Sequence, residues 1–234
     1  MQRAYWDNRA RQYSEQYGLD TEFNKMKVKR KIEMASQHVS LSSPAKLLEV
    51  GCGTGVYTDE LRKINSGMVA VDISPKMMAT AVKKYPSVNF MQMDTKNLGF
   101  KDCSFDVVFS AFLLQHVNAK STIQEMYRIL KSGGYLVAFV PNILNPIHYG
   151  RARNCLVRAV VKETSQSEDF TRWQWVRILS SLGYGEITVR PISFDSPHTP
   201  MFLAKTVIFI SSILERMPIV REFAGSLMII GRKT

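Results

Sequence analysis

Between Lys46 and Val140 the chain alternates short apolar runs with longer stretches of mixed polarity. The apolar runs predict strands at 46–50, 68–72, 87–92, 105–110 and 134–140. Between them, apolar positions recur at helical spacing over about 55–65, 75–84 and 119–131. Alternating strands and helices, with apolar and β-branched strands, predict a parallel sheet covered on both faces. Pro75 stands at the first turn of its helix, where a missing N–H costs nothing. Ser132-Gly133-Gly134 predicts a helix end with a left-handed glycine cap.

The flanks differ from this core. Residues 3–17 predict a helix, with Tyr5, Trp6, Ala10, Tyr13 and Tyr17 recurring at spacings of three and four. After the break at Gly18-Leu19-Asp20-Thr21, a second helix is expected over 22–39, stopped by Ser42-Ser43-Pro44. Beyond Pro141 the pattern predicts an Arg-rich helical insertion over 145–161, a helix over 169–182, and strands at 185–194 and 224–231. The intervening segment 195–223 reads as one helix, about 200–216, and a loop. At 234 residues the chain fits one α/β domain. It divides into a helical cap (1–44), a core (45–140) and a third part with insertions and the last strands (141–234).

Composition narrows the setting. Cys52, Cys103 and Cys155 form no CxxC pair, which points to a reducing compartment and away from structural zinc. The N-terminus lacks an apolar signal core, so a cytoplasmic location is expected. The net charge of +11 is spread as +3 over 1–40, +3 over 41–150 and +5 over 151–234. No basic tract with interleaved aromatics appears, which argues against a nucleic-acid groove. The excess charge is either a solvated basic surface or an attraction for anionic substrates or membranes.

The densest chemical signal is Leu47-Leu48-Glu49-Val50-Gly51-Cys52-Gly53-Thr54-Gly55. It reads as a buried strand running into a glycine turn with a helix behind it, so a ligand can lie against bare backbone and unpaired N–H groups. Asp72 follows Gly51 by 21 residues, at the end of the next apolar run. A glycine turn followed at that distance by an acid suggests a nucleoside held by its ribose hydroxyls. The spacing G-x-G-x-G, with Val56 in place of a third dinucleotide glycine, departs from a dinucleotide site. Glu49 ahead of the turn would repel a diphosphate and suits a ligand carrying an ammonium or sulfonium. Cys52 reads as a small residue fitted to a crowded turn or as a reactive thiol.

The turn resembles the first motif of class I S-adenosylmethionine-dependent methyltransferases, of the type 11 group, and later motifs follow in order. Val71-Asp72-Ile73-Ser74 resembles the second, Met93-Asp94-Thr95 the third, Phe105 to Ala111 the fourth strand, and Arg128 to Gly134 the approach to the fifth. The resemblance spans roughly residues 45–140. It implies a Rossmann-like α/β fold with seven strands in the order 3-2-1-4-5-7-6, the last antiparallel, and helical insertions after strands five and six. It also implies S-adenosylmethionine as cofactor and S-adenosylhomocysteine as product. By the same resemblance Asp72 binds the ribose and Asp94 faces the adenine amino group. Gly51, Cys52, Gly53, Gly55, Ile73, Thr95 and Ser110 are expected around the cofactor, with Glu49 toward its charged end. The N-terminal helix resembles one that closes over the cofactor, which puts Tyr13, and less firmly Tyr17, at the methionine end; Trp6 reads rather as part of that helix's buried face.

Methyl transfer from a sulfonium needs alignment first, and a base only when the nucleophile holds its proton near neutral pH. No metal is expected: 110–117, Ser-Ala-Phe-Leu-Leu-Gln-His-Val, lacks an acid cluster. His116 is the candidate base, from its place just past strand four; the alternative is that it orients its loop. His148 and His198 are lesser candidates in the insertions. Arg151, Arg153 and Arg158 beside the apolar run Met201 to Leu214 fit a basic-rimmed apolar cavity for a small acidic or amphiphilic acceptor methylated on oxygen. They equally fit a lid helix with a solvated basic face, or peripheral membrane contact through 201–214. The competing reading is an RNA or protein methyltransferase using the basic C-terminal third. A monomer or a homodimer is expected.

Overall fold

The computed structural model describes residues 2–17, 22–146, 170–194 and 201–234, without the side chains of 11–17 and 201. Its strands are β1 (Leu47–Val50), β2 (Val69–Asp72), β3 (Asn89–Gln92), β4 (Phe105–Ala111), β5 (Leu130–Pro141), β6 (Tyr184–Ile192) and β7 (Ser226–Lys233). They form one seven-stranded sheet in the order β3-β2-β1-β4-β5-β7-β6. The first five strands pair in parallel, and β7 runs antiparallel between β5 and β6. β6 is therefore parallel to β5, and the chain leaves both at the same carboxyl edge.

The helices are α1 (Gln2–Tyr17), α2 (Glu22–Ser36), α3 (Thr58–Ile64), α4 (Pro75–Lys84), α5 (Ala119–Ile129), α6 (Arg172–Ser181) and α7 (Ala204–Leu214). The sheet is buried on both faces, as its continuous apolar strands require. On one face Leu48, Val108, Leu136 and Ile229 pack against Ile123 and Met126 of α5 and Trp175 and Leu179 of α6. On the other, Leu47, Phe109, Phe139 and Ile230 pack against Val28 and Ile32 of α2 and Leu61 of α3. Successive residues of one strand feed opposite clusters, the period of two of an extended chain.

Two boundaries depart from the sequence expectation. The glycine cap expected at Ser132-Gly133-Gly134 is inside a strand: α5 ends at Ile129, and Leu130 turns extended (φ −70°, ψ 140°) to pair with Phe105. Burial of Leu130 in the sheet outweighs helix continuation. Gly133, at φ +77°, takes up the irregularity between the Phe105 and Val107 pairings. A Cβ on Gly134 would come within 2.9 Å of the Asp106 and Lys131 carbonyls. The helix expected over 55–65 starts at Thr58, because the turn runs on to Tyr57. Most of the insertion expected at 145–161 lies outside the described residues, as do His148, Cys155, His198 and the three arginines 151, 153 and 158.

Candidate functional site

The turn after β1 is tied to the end of β2. The Gly51 and Cys52 N–H groups both donate to the Val71 carbonyl, at 2.8 and 3.1 Å. The Gly53 N–H donates to Asp72 Oδ2 at 2.8 Å, and the Ser74 N–H to Asp72 Oδ1 at 2.9 Å. Gly51, Gly53 and Gly55 adopt φ of +78°, +56° and +84°, where a side chain is strained. Burial pushes the Asp72 carboxyl above its ordinary range, against the pull of those backbone N–H groups.

A cleft of about 670 Å³, including the part open to solvent, lies over this turn. Gly51, Gly53, Asp72 and Ile73 form its floor, and Asp94 and Thr95 one end. Met77, Met93 and Leu113 give it apolar walls, and His116 and Val117 close the far side.

The other expected residues stand behind the cleft. A Cβ on Gly55 would meet the Tyr85 ring at 2.8 Å, so this glycine serves the packing of α4 on the turn. Ser110 is buried and donates to the Val50 carbonyl at 3.0 Å, bracing β4 against β1. The Cys52 thiol is buried, and burial pushes its pKa up, opposite to what a reactive thiol needs. The Glu49 carboxyl is buried and accepts from the Thr58 hydroxyl at 2.5 Å. Burial, aided by the Asp72 charge, raises its pKa to about 8 despite that bond. The side chains of Tyr13 and Tyr17 lie outside the described residues.

His116 lines the cleft with Trp6 packed edge-on to its ring, centroids 4.9 Å apart. Burial, with a smaller push from the Arg9 charge, lowers its pKa to about 4. Its Nε2 lies 3.2 Å from the Gln115 amide nitrogen. A neutral imidazole of such low basicity is a poor proton acceptor at pH 7.

Several residues of the site were not assigned to it from the sequence; Trp6, read as part of its helix's buried face, lines the cleft. Trp6 and Gln2 of α1 roof the cleft, and the Gln2 amide donates to the His116 carbonyl at 2.7 Å. Asp7 holds the roof from the other side: it accepts from the Ser74 hydroxyl at 2.6 Å and from the Lys76 N–H at 3.3 Å, two residues past Asp72. Phe112 lines the cleft at φ +54°, strained for an aromatic residue, with its N–H donating to the Phe139 carbonyl at 2.7 Å. The aromatic spacing of residues 3–17 showed that α1 has a packed face. What that face packs on, and the backbone sign at Phe112, are not periodic properties.

Residues 48–138 match the model of a family described as a methyltransferase domain. The chain is 28% identical over 174 residues to a demethylmenaquinone methyltransferase of Chlorobaculum tepidum, covering 64% of this chain and 70% of that one. It is 28% identical over 154 residues to a malonyl-[acyl-carrier protein] O-methyltransferase of a Paenibacillus species. That alignment covers 61% of this chain and 56%, little more than half, of the relative. Among solved structures, a methyltransferase of Thermotoga maritima superposes with a TM-score of 0.67 at 19% identity, over 97% of this chain and 95% of that one. The fold is thus shared over nearly the whole chain, and the family model covers the stretch from β1 into β5, including the turn.

Proposed function

We propose, for a chain that is a class I S-adenosylmethionine-dependent methyltransferase, that the methyl acceptor is a small acidic or amphiphilic molecule methylated on oxygen. The observation that carries the donor site is the bare turn at Gly51 and Gly53, hydrogen-bonded to Asp72 on the floor of a roofed cleft. The residues fit the cofactor. Each Asp72 oxygen accepts one backbone N–H and keeps a further lone pair for a ribose hydroxyl. Met77, Met93 and Leu113 offer apolar surface to a purine, and Asp94 an acceptor for its amino group. When bound, S-adenosylmethionine supplies a methyl group already activated by its sulfonium.

What remains for the chain is to align the acceptor and keep water out. Among the described residues lining the cleft, the ionisable ones are Asp72, Asp94 and His116. Burial that pushes the His116 imidazole down to about 4 argues against it as a base matched to pH 7. An acceptor that has already lost its proton in water needs none. This favours a carboxylate or an acidic hydroxyl over an alcohol or a protonated amine. His116 then orients the 114–116 turn and the roof above it. The relatives named for menaquinone and malonyl acceptors are in keeping with this class. An amphiphile of this kind partitions into bilayers.

Calorimetry with S-adenosylhomocysteine on the full chain and on Asp72→Ala tests the donor site. Two charge-assisted hydrogen bonds, about 1.5–3 kcal/mol each, predict a Kd at least about a hundredfold higher in the variant. Unchanged binding would remove Asp72 from the site. Transfer of labelled methyl to carboxylic acids and phenols, with RNA as the competing substrate, tests the acceptor class.

A further inference from the structure

Helix α7 leaves large apolar side chains in solvent. Ala204, Ser211 and Glu215 are buried against the protein, at the spacing of one helical stripe. On the opposite stripe Phe209, Ile210 and Ile213 face solvent, with Phe209 65% exposed. The turns on either side extend the apolar surface through Phe202 (83% exposed), Met217 and Ile219 (78% exposed). In water an amphipathic helix buries its apolar stripe and hydrates the polar one. Here the inward stripe, with Val207 and Ile208 half-buried beside Ala204, carries two polar groups, Ser211 and Glu215, held by a closed network. Arg30 of α2 donates from one nitrogen to both Glu215 oxygens at 2.9 Å. The Ser193 N–H donates to Glu215 at 2.8 Å, and the Ser211 hydroxyl donates to it at 2.9 Å. The Phe194 N–H donates to the Ser211 hydroxyl at 2.9 Å. Exposed apolar surface of this extent marks an interaction site.

We propose that this face docks on the surface of an anionic lipid bilayer. The charges of the segment select that occupant. Its two acids, Glu215 and Glu222, are turned to internal arginines: Glu215 to Arg30, and Glu222 to Arg172 at 3.1 Å. Lys205 and Arg216 are exposed beside the apolar side chains. Exposed Phe and Ile flanked by basic residues, on a helix too short to span, is the pattern of an interfacial helix. No helix among the described residues is long and apolar enough to cross a membrane. The position also fits. The chain between β6 and β7 leaves the sheet at the carboxyl edge, the edge on which the cleft lies, so docking brings the cleft toward a phase in which amphiphiles dissolve. The proposal goes beyond the assignment of donor and acceptor.

The test is sedimentation of the full chain with vesicles of phosphatidylcholine alone or mixed with phosphatidylglycerol. The anionic vesicles should carry the protein down, less so as salt rises. Phe209→Glu with Ile213→Glu should lower the partition coefficient at least about tenfold. Lys205→Gln and Arg216→Gln should lower it about fivefold each on the anionic vesicles alone. Retained S-adenosylhomocysteine binding shows that each variant is folded, and vesicle binding needs no methyl acceptor, so either reading can fail alone. Wild-type protein that stays in solution with anionic vesicles overturns the proposal. So does a concentration-dependent dimer dissolved by Phe209→Glu in the absence of vesicle binding, which would give the face to a second copy.

Discussion

Alanine at Gly55 and at Gly51 should separate packing from ligand contact within one motif. Both glycines sit at positive φ, +84° and +78°, where an L-residue costs about 1–2 kcal/mol. The added methyl at Gly55 meets Tyr85 Cε2 at 2.8 Å and Cδ2 at 3.0 Å, with Ala81 Cβ at 3.4 Å on the same side. That ring has the Arg62 guanidinium 4.9 Å from its centre and is not free to swing. Overpacking of this kind adds about 1–3 kcal/mol, for a total of about 2–5 kcal/mol. In a domain of 234 residues this lowers Tm by about 5–15 °C. At Gly51 the methyl meets Leu113 Cδ1 and Cδ2 at 3.0 Å and Cβ at 3.1 Å, and Leu113 is a wall of the cleft. Gly51→Ala should lose comparable stability and also donor affinity, by about tenfold or more if Leu113 moves toward the ligand. Gly55→Ala should keep its S-adenosylhomocysteine affinity within about threefold, since it disturbs the back of the turn. Thermal denaturation and calorimetry at a temperature where both variants are folded decide the matter. Equal loss of affinity in the two, or a Gly55→Ala Tm within about 2 °C of the parent, would refute the separation.

Two further outcomes follow from buried charges. Arg30→Met leaves Glu215 buried with Ser193 and Ser211 as its donors, and should cost about 3–5 kcal/mol in denaturant unfolding; adding Glu215→Gln should restore part of it, because the uncompensated charge is gone. The pH profile of stability has two opposed contributions. His116, with a pKa lowered from 6.5 to about 4, loses up to about 3 kcal/mol of stability as pH falls from 6.5 to 4, where the unfolded chain takes up a proton that the folded one refuses. Glu49, raised from 4.5 to about 8, stabilises fully below pH 4.5 and loses its contribution as pH rises to 8. Between about pH 6.5 and 8 the His116 contribution no longer changes, so Glu49→Gln should flatten the fall in Tm over that window; an unchanged slope would show that Glu49 is not the group responsible.

Much of the core was legible because its signals are local. A parallel strand buried on both faces is a continuous apolar run, and 47–50, 68–72 and 105–110 announced β1, β2 and β4 nearly to the residue. The failures are positions where a distant partner outweighs a local preference. Ser132-Gly133-Gly134 has the composition of a helix cap, but Leu130 finds Phe105 across the sheet, and the glycines serve a strand irregularity. Beside the Glu49 expected toward the ligand's charged end, the structure adds a bond from Thr58, nine residues on, that the strand pattern does not announce. Asp7 and Gln2 carry no pattern, because their partners Ser74 and His116 lie 67 and 114 residues away.

The sequence by itself pointed to the strand order and to S-adenosylmethionine through the family resemblance, and it carried the apolar run at 201–214. These depend on residue type and short spacing, which the chain states directly. Tertiary structure decided which glycine faces the cleft and which packs on Tyr85, and that His116 sits edge-on to Trp6. It also decided which way α7 turns. Hydrophobic periodicity gives a helix two stripes but assigns neither to the inside. That assignment was made by Arg30, 185 residues before Glu215, whose ion pair holds Glu215 and Ser211 inward and leaves Phe209, Ile210 and Ile213 facing out.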